Sequence, residues 1–452
     1  MASGNMFLEG SLPRVFLRTA LPIILIMSVS GLFVVVDAGF IGLYAGAAAL
    51  SAVTLIFPVS MLMVALQSLV SSGMASLIAR KLGAGDHRGA SETFTSAHGL
   101  AALVSAGLAA GYWLAGPALI AEAADGADDI AGHARTFLSI MATASPIAFA
   151  LGLQLDTMRC EGRLGVMSLV TIGSSVLNIG LNWLFMAVFG LGVAGSALGT
   201  VTAQAVCLVL VSLHRRLRGG PVGLAPVPIR RDWGAILALG APSSLGFIGI
   251  SLNSAAIITN INLWSGSQHA VTVAAYGIVT RILTFAYLPM MGVSAALQTI
   301  AGNNFGAGLN RRVGQVLVIA LVTVLAYCTL VEVVILSFST RLGHLFVEDA
   351  AVVAETARIL PPMVAVYFLV GQVVMLSGYF QALGDARHAA LFGLARPYLF
   401  SIPLAFLMPL LLGEPGIWLV PMTADLGMLA VAAVALSARA RRTGWRYGAI
   451  PA

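Results

Sequence analysis

Few residues in this sequence can do chemistry, and most of those that can stand inside apolar runs. Asp37 lies in Ser30-Gly-Leu-Phe-Val-Val-Val-Asp37-Ala-Gly-Phe-Ile. Its helical neighbours three and four residues away are Phe33, Val34, Phe40 and Ile41, so its own helix offers no partner. Taking a carboxylate out of water disfavours its charged form. Such an acid is a candidate proton or cation site, and the alternative is a structural acid bonded to neighbouring helices; the functional reading is preferred because charges in apolar spans are expensive to keep. Ser174, Asn178 and Asn182 follow a four-residue spacing and share one helical face, and Thr200 and Gln204 repeat that spacing further on. With one carboxylate, these oxygens would coordinate a small hard cation or bond a protonated acid. The same residue types also glue helices together, and the residues alone leave the two readings level.

The remaining polar residues give weaker signals. Glu332 and Asp425 are deep acids read as structural or gating groups, and Asp156 has Arg159 and Arg163 within reach. Arg281 is a cation in an apolar run, expected to face water or to pair with an acid. The second half carries Asn253, Asn260 and Asn262 where an acid equivalent to Asp37 would stand. Cys160, Cys207 and Cys328 are far apart and odd in number, which argues against a disulfide frame or a metal site. The seven histidines lack ligand spacing, so no metal, no cofactor and no enzyme activity are expected. Gly190-Leu-Gly-Val-Ala-Gly195 spells a dinucleotide fingerprint, but no strand or βαβ unit surrounds it, and it reads as a tight turn.

The elements that must position these groups are membrane helices. The 452 residues are 59% hydrophobic and 9% charged, where a soluble domain carries roughly a quarter charged residues. Met1–Ser11 is polar and short, so no removable leader is expected. Apolar runs at roughly 14–43, 47–80, 91–117, 134–159, 164–189, 193–213, 233–263, 271–303, 313–340, 355–382, 388–412 and 416–437 predict an all-α polytopic membrane protein of twelve transmembrane helices. Nineteen of the 24 Lys and Arg lie at the two ends or in every second loop. That asymmetry predicts a multi-pass protein of the cell inner (plasma) membrane with both termini cytoplasmic, and it argues against nucleic-acid binding as the use of the +6 net charge. Leu82-Gly-Ala-Gly85 recurs as Phe305-Gly-Ala-Gly308, Ala20-Leu-Pro22 as Gly240-Ala-Pro242, and Gly192-Val-Ala194 as Gly416-Ile-Trp418. The near-constant offset predicts two pseudo-twofold-related six-helix lobes, 1–213 and 233–452 with a cytoplasmic tail, joined by a cytoplasmic linker at 214–232, and a substrate cleft between the halves.

In combination, several of these elements resemble the multidrug and toxic compound extrusion (MATE) family, in its DinF-like and MepA-like branch. They are the Pro22 to Asp37 first span, Ala79-Arg-Lys-Leu-Gly-Ala-Gly-Asp86, Arg159-Cys-Glu-Gly162, Leu177-Asn-Ile-Gly-Leu-Asn182, Gly192-Val-Ala-Gly-Ser-Ala-Leu-Gly-Thr200 and Ala301-Gly-Asn-Asn-Phe-Gly-Ala-Gly308. The resemblance spans nearly the whole chain and implies a twelve-helix antiporter that exports amphipathic, often cationic, drugs against inward H+ or Na+. It implies Asp37 as the coupling carboxylate, with Asn178, Asn182 and Thr200 in the ion cavity, and Na+ as a possible occupant at Asp37, Asn178 and Thr200. It implies Pro22 at a bending point of the first span; the substrate cavity is expected to take in Pro22, Phe137, Gln204, Asn260 and Arg281. Two departures bear on the ion: Asn182 stands where the family often has Asp, and Phe137 where it has Tyr. Losing a carboxylate and a hydroxyl weakens a Na+ site more than a proton site, so proton coupling in the N-terminal lobe is expected. Small-molecule drugs and membrane lipid are the expected partners, and a monomer the expected state. The alternative is a lipid or polysaccharide-precursor flippase of the same superfamily, which would call for a more basic cleft than Arg281 and Arg396 provide.

Overall fold

The computed structural model describes residues 5–226, 228 and 230–450, so two positions of the expected linker, 227 and 229, lie outside the described residues. Among the described residues sixteen α-helices follow one another: α1 (Leu12–Tyr44), α2 (Gly46–Leu55), α3 (Phe57–Gly83), α4 (His87–Ala123), α5 (Asp128–Thr143), α6 (Ser145–Cys160), α7 (Leu164–Asn182) and α8 (Gly192–Arg218), then α9 (Trp233–Trp264), α10 (His269–Gly306), α11 (Asn310–Leu342), α12 (Ala350–Val364), α13 (Tyr367–Leu383), α14 (Ala386–Leu394), α15 (Ile402–Leu412) and α16 (Pro415–Thr443). Two π-turns, Trp183–Val188 and Ala395–Ser401, prolong α7 and join α14 to α15. Among the described residues the only β-pairing is the isolated bridge of Arg446 with Ile450.

Among the described residues ten of the helical segments are long and apolar enough to cross a bilayer, and the pairs α5–α6 and α12–α13 each pass that test together, which makes twelve if each bent pair is one span. Large apolar side chains point outward along them, including Leu114 at 86% exposure and Leu43 at 75%. Water would not tolerate such a surface, whereas lipid covers it at no cost.

The fourth and tenth spans, expected at 134–159 and 355–382, are both broken, by 50° and 52°. Pro146 sits in the first turn of α6, where it has no N–H for the Ala142 carbonyl. Ser145 Oγ takes that place, donating to Ala142 O at 2.8 Å. In the tenth span Pro361 and Pro362 lie in α12 ahead of the break. The amide of Phe368 in the first turn of α13 then donates to Glu332 Oε2 at 3.0 Å, so this deep acid secures a broken helix end.

Two compact units emerge. The first comprises Met1–Glu9 and Leu25–Ser244, the second Gly10–Ile24 and Leu245–Ala452. The helices α1 and α9 therefore each contribute to both. In the first unit a buried cluster of Val70, Met74, Ile78, Phe94, Phe149 and Leu153 joins α3, α4 and α6. The start of α9 docks there backbone to backbone: a Cβ on Gly240 would come within 1.7 Å of Leu69 O, so only glycine fits.

Candidate functional site

In the first unit, α1 delivers Asp37, half-buried, to the ends of α7 and α8. Asn182, the last residue of α7, donates from Nδ2 to Asp37 Oδ1 at 2.6 Å, and Ser196 of α8 donates from Oγ to the same oxygen at 3.1 Å. Asn182 is 1% exposed and Ser196 fully buried, so both donors are fixed in place. One turn away, Asn178 Nδ2 donates to Thr200 Oγ1 at 2.9 Å. The amides of Asn178 and Asn182 stand 3.5 Å apart in both nitrogen-to-oxygen pairings.

This cluster exists because α7 and α8 approach closely. Gly195 and Gly199 form a small-residue stripe on α8. A Cβ on Gly199 would lie 2.1 Å from Asn182 Oδ1, and one on Gly195 3.0 Å from the Phe185 backbone. The π-turn beginning at Trp183 follows Asn182 directly, and such turns, rare in general, are frequent at functional sites. Gly190 and Gly192, at φ 66° and 53°, turn the chain between the two helices.

The structure thus brings together four sequence candidates, Asp37, Asn178, Asn182 and Thr200, and adds Ser196. Ser196 was legible in principle, since it stands four residues before Thr200 on the same helical face. Gln204 makes no hydrogen bond to the cluster among the described residues. Phe137 packs beside Ile41, one turn from Asp37, in an apolar group with Ala49, Met186 and Val193. It supplies a ring there and no hydroxyl.

The other candidates lie elsewhere. Pro22 is inside α1, in the stretch that belongs to the second unit. Asn260 of α9 is buried at 2% exposure and donates to Ala256 O of its own helix at 2.9 Å. Arg281 of α10 is exposed and makes no ion pair among the described residues. Asp156 pairs with Arg159 at 2.9 Å, and Asp425 with Arg396.

A second polar cluster of the first unit surrounds Asp232, which itself lies outside the spans. Its Oδ2 accepts from Thr93 Oγ1 at 2.5 Å and from Lys81 Nζ at 2.9 Å. Burial pushes the Asp232 carboxyl up, but those two hydrogen bonds and the charges of Lys81 and Arg231 outweigh it and hold it below the usual range.

Chemically, a single half-buried carboxylate ringed by amides and hydroxyls can take up and release a proton or a small cation. It offers neither a nucleophile with its base nor a pair of acids set for general catalysis. The model of the MatE family matches residues 22–184 and 242–407. The chain is 25% identical over 418 residues to the Bacillus subtilis (strain 168) protein named "Probable multidrug resistance protein YpnP", covering 91% of this chain and 92% of that one. It is 25% identical over 303 residues to multidrug and toxin extrusion protein 1 of Mus musculus, covering 64% of this chain and 51% of the relative, so it spans about half the length of that protein. A solved multidrug resistance MATE family transporter in an outward-facing conformation superposes with a TM-score of 0.87 at 21% identity, over 95% of this chain and 96% of the other; at that identity the likeness speaks for the fold.

Proposed function

The chain belongs to the MatE family, and from that premise we propose that it is a multidrug exporter that expels amphipathic, often cationic, small molecules in exchange for protons taken up at Asp37. The observation that carries the proposal is the convergence of Asn182 and Ser196 on one oxygen of Asp37. Both are donors, and donors balance an ionised carboxylate while its second oxygen takes a proton. A Na+ ion would ask for about six oxygen ligands, with both Asn amides turned to present Oδ1. Proton and drug are then linked through the first unit: protonation removes the charge that the two donors hold, their hydrogen bonds relax, and the affinity for the drug changes by the coupling energy. Alternating access follows the usual logic for transporters built from repeats.

Proteoliposomes with an imposed pH or Na+ gradient test this directly, with a fluorescent lipophilic cation as cargo. A pH gradient is expected to drive export by the wild type, and Asp37→Asn is expected to abolish the driven component while leaving dye binding in detergent. Undiminished driven export by Asp37→Asn would show that the coupling group lies elsewhere. Export that answers to a Na+ gradient alone would replace the proton by Na+ at the same residue.

A further inference from the structure

The second unit holds an ion pair deep in its helices. Arg396, in the π-turn between α14 and α15, donates from Nε and Nη2 to Oδ1 and Oδ2 of Asp425 in α16 at 2.5 and 3.1 Å. Both residues fall within segments apolar and long enough to span a bilayer.

Two features set this pair apart from a bridge that only ties helices together. The first is which partner is covered. The Arg396 side chain is 30% exposed and Asp425 3%, whereas in Arg159–Asp156 the arginine is covered at 6% and the acid open at 28%. A guanidinium left open at membrane depth must meet water or a polar ligand, because hydrocarbon is a costly neighbour for it.

The second feature is the unused side of the guanidinium. Arg358 in the same unit shows what one guanidinium can hold. Its Nε and Nη2 grip Glu355 at 2.8 and 2.7 Å, while Nη1 and Nη2 grip Glu414 at 3.0 and 2.6 Å. Arg396 makes the first of these two clamps, and among the described residues its Nη1 makes no hydrogen bond.

We propose that the Nη1 edge of Arg396 is an anion subsite that takes the carboxylate or phosphate of an amphipathic ligand. Asp425 holds the guanidinium in position and keeps the site neutral overall when it is open. The substrate class of the exporter then includes zwitterions as well as simple cations. The subsite itself stands on geometry, and only its role in handling cargo rests on the transporter reading.

Fluorescence anisotropy with the purified full-length protein in neutral detergent tests it, with empty micelles subtracted. The probes are rhodamine B, which carries a free carboxylate beside its cationic ring system, and its ethyl ester, a cation of the same framework. Wild type is expected to bind the acid about tenfold more tightly than the ester, since a charge-assisted bidentate contact distinguishes them. The paired variant Arg396→Gln with Asp425→Asn is expected to lose that preference and keep its affinity for the ester. Arg396→Lys, which retains the charge for Asp425, is expected to weaken the preference because an ammonium has no second edge. Displacement of rhodamine B by phosphatidylglycerol and not by phosphatidylcholine would assign the anion to a lipid headgroup, and no displacement would assign it to a dissolved ligand. Equal binding of the two dyes by wild type, or a preference that survives the paired variant, overturns the subsite. Neither result touches Asp37, which is judged by gradient-driven export.

Discussion

At the scale of single residues, the polar groups of the first unit differ in how completely they are held. Asp37 receives donors from Asn182 and Ser196 on one oxygen, whereas Asp232 receives a hydroxyl and an ammonium on its Oδ2. The folded protein holds the Asp232 carboxyl below its ordinary value of 3.8. A depressed carboxyl stabilises the fold above its unfolded pKa, and that contribution disappears as pH falls through the folded value. Asp232→Asn should therefore cost about 1 kcal/mol at pH 7, the scale of a charge-assisted hydrogen bond near a surface. Thermal unfolding in detergent should show a gap to wild type that is constant from about pH 8 to 5 and closes below about pH 4. A gap that widens on acidification would contradict this account. Asp37 was legible because a lone acid in an apolar run has few bland explanations. Asp232 was not, because an acid in a charged loop looks like a solvated one, and its partners Lys81 and Thr93 are 151 and 139 positions away.

At the scale of elements, the donor set around Asp37 depends on how closely α8 lies against α7. Gly199 is the residue that sets the separation, since a Cβ there would press to 2.1 Å on Asn182 Oδ1. Asn182 is 1% exposed and cannot step aside. Gly199→Ala should cost about 1–3 kcal/mol as an overpacked contact and should weaken gradient-driven export, because Asn182 must leave Asp37 to make room. Gly180→Ala serves as the control: it lies on α7, where an added methyl would find nothing within 4 Å, and replacing a mid-helix glycine there should be neutral or stabilising by up to about 1 kcal/mol. Equal thermal midpoints for the two variants would remove Gly199 from the account. The spans themselves were legible from hydropathy, and the breaks in two of them were not. A proline in an apolar run signals a kink without saying whether a side chain rescues the freed carbonyl, as Ser145 does for Ala142. Nor does the run show that an acid from another helix, Glu332, will hold the new end at Phe368.

At the scale of the whole molecule, the duplication goes further than the glycine motifs reveal. The two segments matched by the family model begin at residues 22 and 242, each a proline inside the first helix of its half. Glu161 pairs with Arg215 at 2.6 Å in the first unit, and Asp385 with Arg439 at 2.5 Å in the second. Both partners are displaced by the same 224 positions, and Arg163 and Arg387 repeat with them. Such a constellation escapes a search for identical motifs, because Glu has become Asp and the partners stand 54 residues apart in each half. The two pairs are chemically unequal. The Glu161 side chain is wholly covered, while Asp385 is 21% exposed and is also bonded by His388 Nδ1 at 2.8 Å. Burial pushes the Glu161 carboxyl above the usual range, against the pull of Arg215 and Arg163, whereas for Asp385 burial is outweighed by the His388 hydrogen bonds and the charges of His388 and Arg439. Removing a partner from a buried pair costs up to about 3–5 kcal/mol where the charge is left uncompensated, and at Glu161 the longer contact to Arg163, at 3.6 Å, would remain. Arg215→Gln should therefore lower the thermal midpoint at pH 7 well beyond Arg439→Gln, for which about 1–2 kcal/mol is expected with His388 and some water still serving the acid. The deficit of Arg215→Gln should also shrink as pH falls, since a Glu161 that has lost its short bond and has a raised pKa takes up a proton readily, and a neutral acid is cheaper to bury. Thermal unfolding of both variants between about pH 8 and 5 reads out each expectation, and an Arg439→Gln protein as unstable as Arg215→Gln would mean that the two halves carry equivalent anchors after all.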